Sequence, residues 1–314
     1  MSRIYEALQK AESERKLERH EREPLTPEQP GSAVSPSQTG AAVAEYDIPS
    51  APAVEAFSRP SAAMGSALDL SKIARRPWTP SLAQLPALLE RGPSVEQFRS
   101  LRSRVFELRD IKPLKSILVS SGMPQEGKSF ISTNLAISLA RHKNSKVLLI
   151  DGDMRRYTLH ELLGCESQPG LADYLAGKAG VEEIMQQAER VTEENALGKA
   201  FLPNLTFIAG GNGGDKAADL SGSPRFGELI KLVEPHYDWI IVDSSPVLPV
   251  SDAVNLARSC DGVLLVARGG ITKFPVAQRA ASELKASNLL GFVLNAVEEQ
   301  PQVGGYYGYD ATRG

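Results

Sequence analysis

Ser116-Ile-Leu-Val-Ser-Ser-Gly-Met-Pro-Gln-Glu-Gly-Lys-Ser129 is the stretch that decides the fold of this 314-residue chain. An apolar run, which predicts a buried strand, leads directly into Gly122-x4-Gly127-Lys128-Ser129, and residues 131–140 follow at helical spacing. Glycines allow a tight turn in which consecutive N–H groups and the helix N-terminus face a polyphosphate. In such a phosphate-binding loop (P-loop), Lys128 reaches the β- and γ-phosphates and the Ser129 hydroxyl ligates Mg²⁺.

The composition indicates a cytosolic globular protein of one or two domains. Apolar residues make up 42% of the chain, and the net charge of −3 gives no reason to expect nucleic acid or anionic lipid as the main partner. We interpret Cys165 and Cys260 as reduced structural thiols. No apolar run approaches the ~18–20 residues of a membrane span, and the start lacks the apolar core of a signal peptide. We expect a cytoplasmic protein with no direct membrane span, which leaves a membrane-bound partner possible.

The N-terminal part differs from the rest in composition. Residues 1–22 predict a charged amphipathic helix whose apolar stripe, Ile4, Leu8 and Ala11, is too short to hold a helix alone in water. Such a helix either docks on a partner or frays, and the residues alone favour fraying. Residues 23–68 are rich in Pro, Ser, Ala, Gly and Gln, which predicts a disordered linker.

A helix capped by Ser94 begins the strongly patterned part of the chain. One of its faces carries the apolar residues Val95, Phe98, Leu101, Val105 and Leu108. Glu96, Arg99 and Arg102 follow one another in steps of three, so they form a line on an adjoining face. Considered as residues alone, they favour an exposed helix with a local Glu–Arg pair worth ~0.2–0.5 kcal/mol.

Carboxylates end two further buried strands. Lys146-Val-Leu-Leu-Ile-Asp-Gly-Asp-Met-Arg155 ends in Asp151-x-Asp153-x-Arg155, and Tyr237-Asp-Trp-Ile-Ile-Val-Asp243 ends in a Walker B aspartate. Ligands bind beyond the carboxyl ends of parallel strands, where the P-loop also lies. Carboxylates there suit Mg²⁺ chelation or proton abstraction from an attacking hydroxyl, although a strand-end Asp is often only a helix cap.

The remaining patterns complete an alternating βα order. Short helical patterns occupy residues 158–192, a strand begins at Asn204, and residues 226–233 predict a helix. Further strands at residues 262–267 and 289–294 enclose a helix at residues 277–286. We predict one P-loop NTPase-like α/β domain over residues 69–297, with a doubly wound, mainly parallel sheet flanked by helices.

Residues 298–314 form a Gly-rich segment without periodicity, which predicts a flexible tail. Tyr306, Tyr307 and Tyr309, three of the eight tyrosines, lie in its last nine residues. A flexible tail has little structural use for aromatic rings. The alternative interpretation is low-complexity sequence without a function.

Taken together, the P-loop, the Asp151-x-Asp153 strand, Ile240-Ile-Val-Asp-Ser-Ser-Pro246 and the tyrosine-containing tail resemble the bacterial tyrosine kinases of capsule and exopolysaccharide export, over residues 90–314. The resemblance implies an ATP- and Mg²⁺-dependent autokinase that phosphorylates its tail in trans within a ring and regulates polymer export. It makes Glu96, Arg99 and Arg102 the subunit interface, against the interpretation from residues alone. Gln125, where the family often has Gly, and Ser245, where it often has Pro, are departures.

The resemblance also implies roles for individual residues. Lys128, Asp151 and Asp153 are catalytic, with Asp151 as the base, and Ser129, Asp153 and Asp243 organise the metal. The expected nucleotide contacts are Gly122, Met123, Pro124, Gln125, Glu126, Gly127, Lys128, Ser129, Phe130 and Arg155. Residues 2–12 look like the leader of family members that work with a separate membrane chain-length protein, which would recruit this chain to the inner face of the plasma membrane.

Two rival functions remain open. One is a ParA/MinD-like ATPase switch, although that family has Lys directly after the first loop glycine, where this chain has Met123. The other is a non-catalytic adaptor that senses nucleotide and binds an export complex. A kinase labels tyrosine, a switch only releases phosphate, and an adaptor does neither.

Overall fold

The computed structural model describes residues 68–142, 145–189, 202 and 204–297. The predicted helix at residues 1–22, the predicted linker up to residue 67, and the predicted tail with its three tyrosines lie outside the described residues.

The described residues form one eight-stranded sheet, in the spatial order β1-β4-β5-β3-β6-β2-β7-β8. Its strands are β1 (Ala74–Arg76), β2 (Ser116–Ser121), β3 (Val147–Asp151), β4 (Met185–Ala188), β5 (Leu205–Ile208), β6 (Trp239–Asp243), β7 (Gly262–Arg268) and β8 (Leu289–Asn295). All pairs are parallel except β4 with β5. The predicted mainly parallel sheet is therefore confirmed.

Nine α-helices connect the strands within the described ranges. They are α1 (Pro93–Ile111), α2 (Lys128–Ala140), α3 (Leu159–Leu163), α4 (Leu171–Leu175), α5 (Val181–Ile184), α6 (Ala217–Ser221), α7 (Pro224–Val233), α8 (Asp252–Ala257) and α9 (Phe274–Glu283). Short 3₁₀ segments lie at Leu70–Lys72, Pro86–Leu88, Gly214–Lys216 and Glu234–His236.

Helices cover both faces of the sheet, as the doubly wound prediction requires. Successive residues of a strand point to opposite faces, so Ile117 packs with α1 and α2 on one side, whereas Leu118 packs with α7 and α8 on the other. Every residue of β2, β3 and β6 is buried. The continuous apolar runs in the sequence have this cause, because a central parallel strand has no exposed face.

Several local predictions were wrong. Helix α1 begins at Pro93 with Gly92 as its N-cap, so Ser94 lies inside the first turn; proline suits the first helical position because its missing N–H is not needed there. Strand β4 lies within residues 158–192, where only helical patterns were predicted. Pairing with β5 and β1 outweighs the local pattern of this short segment.

Within the described ranges, no helix combines the length and the apolar character needed to cross a lipid bilayer.

The buried side-chain amide of Asn134 connects α2 to the segment that precedes α1. Asn134 Oδ1 accepts a hydrogen bond from the Ala87 N–H at 3.0 Å, and its Nδ2 donates to the carbonyls of Gln84 at 3.2 Å and Phe130 at 2.9 Å. The adjacent Thr133 is equally buried, yet its hydroxyl has no hydrogen-bond partner among the described residues.

We expect Asn134→Leu to lower the free energy of unfolding by about 2–4 kcal/mol, because buried backbone groups lose their partner. Thr133→Val, the matched control, should change it by less than about 1 kcal/mol, because it removes a hydroxyl that is not satisfied. Urea denaturation of both variants measures the difference. Equal losses would show that the amide does not hold the segment.

Candidate active site

Three neighbouring strands bring the predicted site together. The order β3-β6-β2 and the parallel register place Asp151 opposite Asp243, and Asp243 opposite Val119, just before the P-loop. The carboxyl ends of these strands therefore meet at one edge of the sheet, where open α/β sheets bind their ligands.

Backbone conformation sets the shape of the loop. Gly127 is the N-cap of α2 and has φ 96°, and a β-carbon there would lie 2.0 Å from Asn295 Nδ2. Gln125 also adopts a left-handed conformation, with φ 65°. Glycine adopts this conformation without strain, which explains why it suits position 125 in the family that the sequence resembles. Gln125 can also adopt it, at some cost in backbone strain.

Side chains at or just beyond the carboxyl ends of β7 and β8 form hydrogen bonds that hold the loop in place. The buried Glu126 carboxylate accepts hydrogen bonds from the Met123 N–H at 2.8 Å and from the Thr272 hydroxyl. Asn295 Nδ2 donates to the Glu126 carbonyl at 3.0 Å, and Arg268 Nη1 to the Gln125 carbonyl at 3.4 Å. Sequence reasoning missed these braces, and the only signal for Asn295 was its place at the carboxyl end of a strand.

Lys128 lies among the predicted metal-organising groups. Its Nζ is 2.9 Å from Asp153 Oδ2 and 3.7 Å from Asp243 Oδ2. The Ser129 hydroxyl donates to Asp243 Oδ2 at 2.7 Å, and the Ser132 hydroxyl donates to Asp243 Oδ1 at 3.1 Å. Hydroxyl and carboxylate oxygens, the ligands that Mg²⁺ prefers, are therefore adjacent, so the residues fit a magnesium ion beside a phosphate-binding loop.

Burial is the largest single influence on the pKa values of this cluster. It raises the pKa of Asp243, against the opposing effects of Lys128 and of the Ser129 hydrogen bond. Burial, reinforced by the charge of Asp243, raises the pKa of Asp151 well above its usual range. Burial alone would lower the pKa of Lys128, but the charges of Asp243 and Asp153 outweigh it and raise that pKa.

Asp151 also has a structural role in the turn that follows β3. Its Oδ1 accepts from the Asp153 N–H at 3.2 Å and its Oδ2 from the Leu159 N–H at 3.1 Å, and the residue is fully buried. The cap that is common for a strand-end aspartate is thus present at the start of α3. The predicted role as a base requires this turn to open.

Other predicted nucleotide contacts have their side chains elsewhere. Arg155 forms an ion pair with the buried Asp252, with Nε 2.7 Å from Oδ2. The Phe130 ring packs edge-on against Phe98, with 5.6 Å between ring centroids. In this arrangement Phe130 and Glu126 can offer a phosphate only their backbone N–H groups.

The predicted assembly residues lie on α1, apart from the P-loop. Arg99 forms an ion pair with Glu96 and donates through Nη2 to the Glu90 carbonyl at 3.0 Å. Arg102 donates to the Ser138 carbonyl at 2.9 Å, near the C-terminal end of α2. Arg99 and Glu96 are exposed, whereas Arg102 is half-buried.

Comparison with known proteins places this chain among bacterial tyrosine-protein kinases. The family model described as an AAA domain matches residues 117–271. Tyrosine-protein kinase YwqD of Bacillus subtilis is 32% identical over 216 residues, which cover 68% of this chain and 86% of YwqD. The putative tyrosine-protein kinase EpsB of Ralstonia solanacearum is 34% identical over 226 residues, which cover 71% of this chain and 28% of EpsB.

A solved structure agrees with these sequence matches. The kinase domain of the Escherichia coli tyrosine kinase ETK superposes with a TM-score of 0.58 at 30% identity, and the match covers 68% of this chain and 80% of that domain. Several of the curated relatives are much longer than this chain, which spans less than a third of their length.

We expect Lys128→Met to be less stable than the parent chain, by a margin that grows as the pH rises. A carboxyl whose pKa is raised by folding contributes most stability below its unfolded pKa, and that contribution is lost as the pH rises through the folded pKa. Removing the Lys128 charge raises the pKa values of Asp151 and Asp243 further. The deficit should therefore be small near about pH 4 and reach about 3–5 kcal/mol near about pH 8.

Chemical denaturation at several pH values measures this deficit. Lys285→Met, which removes an exposed lysine, is the matched control and should show little deficit at any pH. A deficit for Lys128→Met that is independent of pH would contradict the electrostatic account.

Proposed function

Because this chain belongs to the family of bacterial tyrosine-protein kinases, we propose that it transfers the γ-phosphoryl group of ATP to tyrosine hydroxyls, those of its own tail included. The observation that carries the proposal is the position of Lys128, 2.9 Å from Asp153 and 3.7 Å from Asp243 at the start of the helix that follows the P-loop. A cation and metal-ligand oxygens thus meet where the loop presents its N–H groups.

The residues divide the work that phosphoryl transfer requires, which is mainly positioning and charge neutralisation. The loop N–H groups and Lys128 hold the β- and γ-phosphates, and Lys128 leaves Asp153 and Asp243 to do so. Ser129, Asp153 and Asp243 would hold Mg²⁺, which would neutralise phosphate charge when bound. When Lys128 moves to the phosphates, Mg²⁺ would replace it as the cation beside Asp153 and Asp243.

Asp151 accepts the phenolic proton in this proposal. Its raised pKa, caused by burial and by the charge of Asp243, brings it nearer to the range of a general base at neutral pH. Because Asp151 is fully buried, the residues around it, including the turn up to Leu159, must move before a tyrosine hydroxyl can reach its carboxylate.

The acceptors are Tyr306, Tyr307 and Tyr309. Tyr306 is the ninth residue after Val297, the last described residue, and such a segment reaches at most ~30 Å. That reach allows the tail to enter the site of an adjacent subunit, and the family resemblance favours this transfer in trans. Each phosphate adds about −1.5 to −2 charges, so the product is repelled by the carboxylates and leaves.

We place this kinase in the cytoplasm as a ring-like homo-oligomer, recruited to the membrane by a separate chain-length protein, where it regulates capsular or exopolysaccharide polymerisation and export. Glu96, Arg99 and Arg102 mediate self-association. The exposure of Arg99 and Glu96 supports that role, because charges on one helix can pair reciprocally across a repeated interface.

We expect the purified chain to label its tail tyrosines with ATP and Mg²⁺, and Lys128→Met to lose labelling almost completely, because the phosphates lose their positioning cation. Phosphotyrosine detection and phosphate release are measured together, with Lys285→Met as the control. Phosphate release without tyrosine label would favour the ATPase switch, and neither signal would favour the adaptor.

A mixture of two variants resolves transfer in trans. Lys128→Met with its natural tail is combined with an active chain in which Tyr306, Tyr307 and Tyr309 are replaced by Phe. Label on the inactive chain supports transfer between subunits. An unlabelled inactive chain would refute it.

We expect the double variant Arg99→Ala/Arg102→Ala to be a monomer under conditions in which the parent chain is an oligomer, because the reciprocal charge contacts are lost. Light scattering measures the molar mass. Arg104→Ala is the matched control, since Arg104 lies on the same helix and pairs locally with Glu107. An unchanged oligomer for the double variant would contradict the assembly role.

A further inference from the structure

A cavity of about 250 Å³ opens between α1, the C-terminal end of α2 and residues 87–89. Part of its wall is apolar and comes from Leu89, Val95 and Phe98. The rest of the wall carries guanidinium groups of Arg99, Arg102 and Arg141, and no carboxylate of the described residues lines it. Val95 and Phe98 are almost fully buried, so the accessible apolar surface is small and centres on the exposed Leu89, beside a concentrated positive charge.

Two of these guanidinium groups are fixed by backbone carbonyls. Arg102 Nη1 donates to the Ser138 carbonyl at 2.9 Å, and Arg141 Nη1 donates to the carbonyls of Ala87 at 2.7 Å and Leu89 at 3.1 Å. In the described part of the chain, the hydrogen bonds of both side chains leave from Nη1. Because a guanidinium has five N–H donors, each of these arginines keeps donors for a ligand.

The electrostatic surroundings of Arg102 favour an anion. Burial, together with the nearby charge of Arg99, lowers the pKa of Arg102. Glu96 offsets part of that charge by pairing with Arg99 from outside the cavity. An anion inside the cavity would relieve the remaining repulsion between the arginines, and charge-assisted hydrogen bonds to phosphate oxygens are the strong type.

We propose that this cavity binds the phosphotyrosine side chain of the tail of a second copy of this chain. This ligand combines a phosphate dianion, which matches the three guanidinium groups, with an aromatic ring, which can pack on the exposed Leu89 side chain. A carboxylate side chain carries less charge and fewer acceptor oxygens than a phosphate, and inorganic phosphate lacks a group that packs on Leu89. The inference rests on the proposed function, since that activity supplies the phosphotyrosine.

The cavity is separate from the phosphate-transfer site. Helix α2 has 13 residues, and it begins at the P-loop and ends at the cavity. At 1.5 Å per residue the two sites lie ~20 Å apart along the helix. A phosphorylated tail must therefore leave the first site before it binds at the second.

Occupation of the cavity would regulate assembly. Arg99 and Arg102 line the cavity and are also the proposed interface residues. Phosphotyrosine and a neighbouring subunit then compete for the same guanidinium groups.

The test measures binding by fluorescence anisotropy without ATP. The labelled probe is a synthetic peptide with the sequence of residues 301–314, phosphorylated on Tyr306, Tyr307 and Tyr309. The protein is the full chain in which those tyrosines are replaced by Phe, so its own tail cannot compete as a phosphoprotein. We expect the phosphorylated peptide to bind at least about tenfold more tightly than the unphosphorylated one, because charge-assisted contacts form only with the phosphates.

Variants locate the binding site. Arg141→Gln should weaken binding about tenfold or more, and Arg141→Lys by less, because the charge is kept but the planar donor group is lost. Arg104→Ala, which removes an exposed arginine outside the cavity lining, should leave binding unchanged. Thermal unfolding confirms that each variant is folded. Equal weakening by Arg104→Ala and Arg141→Gln would overturn the proposal, because binding would then follow net charge alone.

Competitors test the role of the ring. Phenyl phosphate should displace the peptide at a lower concentration than inorganic phosphate. Equal potency, or no preference for the phosphorylated peptide, would overturn the proposal. Because the peptide is phosphorylated by synthesis, a negative result here leaves the kinase assay unaffected, and a failed kinase assay leaves this binding result unaffected.

Discussion

The ammonium group of Lys128 holds together a cluster of carboxylates that the fold has removed from water. Asp151, Asp153 and Asp243 are almost fully buried, and Nζ contacts Asp153 directly. Buried carboxylates at this spacing would repel one another, so the strand ends can meet only with a cation between them. Burial and this mutual repulsion raise the pKa values of Asp151 and Asp243, and the positive charge of Lys128 opposes the rise. In the proposed function the same lysine binds the phosphates, so ligand binding would be an exchange of partners.

The P-loop is also connected to the end of the sheet that leads to the tail. Asn295, the last residue of β8, donates to the Glu126 carbonyl, and Thr272 donates to the Glu126 carboxylate. A movement of the loop would therefore be transmitted to strand β8. At the far end of α2, the arginine-lined cavity faces the proposed subunit interface. The helix would thus link the proposed phosphate transfer at one end with the proposed recognition of its product at the other.

Much of this could be predicted from sequence, because the physical causes are local. Fully buried parallel strands require continuous apolar runs, and Val147–Ile150 and Trp239–Val242 show them. Features that depend on distant partners could not be predicted. Strand β4 forms because β5 and β1 flank it, and Arg155 faces Asp252, which follows 97 residues later. The braces from Thr272 and Asn295 likewise depend on tertiary placement, which no local spacing encodes.

The exchange of partners at Lys128 is the central claim, and one distance tests it most directly. A crystal structure of this chain with Mg²⁺ and a non-hydrolysable ATP analogue would give the separation between Lys128 Nζ and Asp153 Oδ2, which is 2.9 Å here. The account predicts that this separation exceeds about 4 Å, the limit of an ion pair, with Nζ on the β- and γ-phosphate oxygens. A lysine still paired with Asp153 beside bound nucleotide would contradict it.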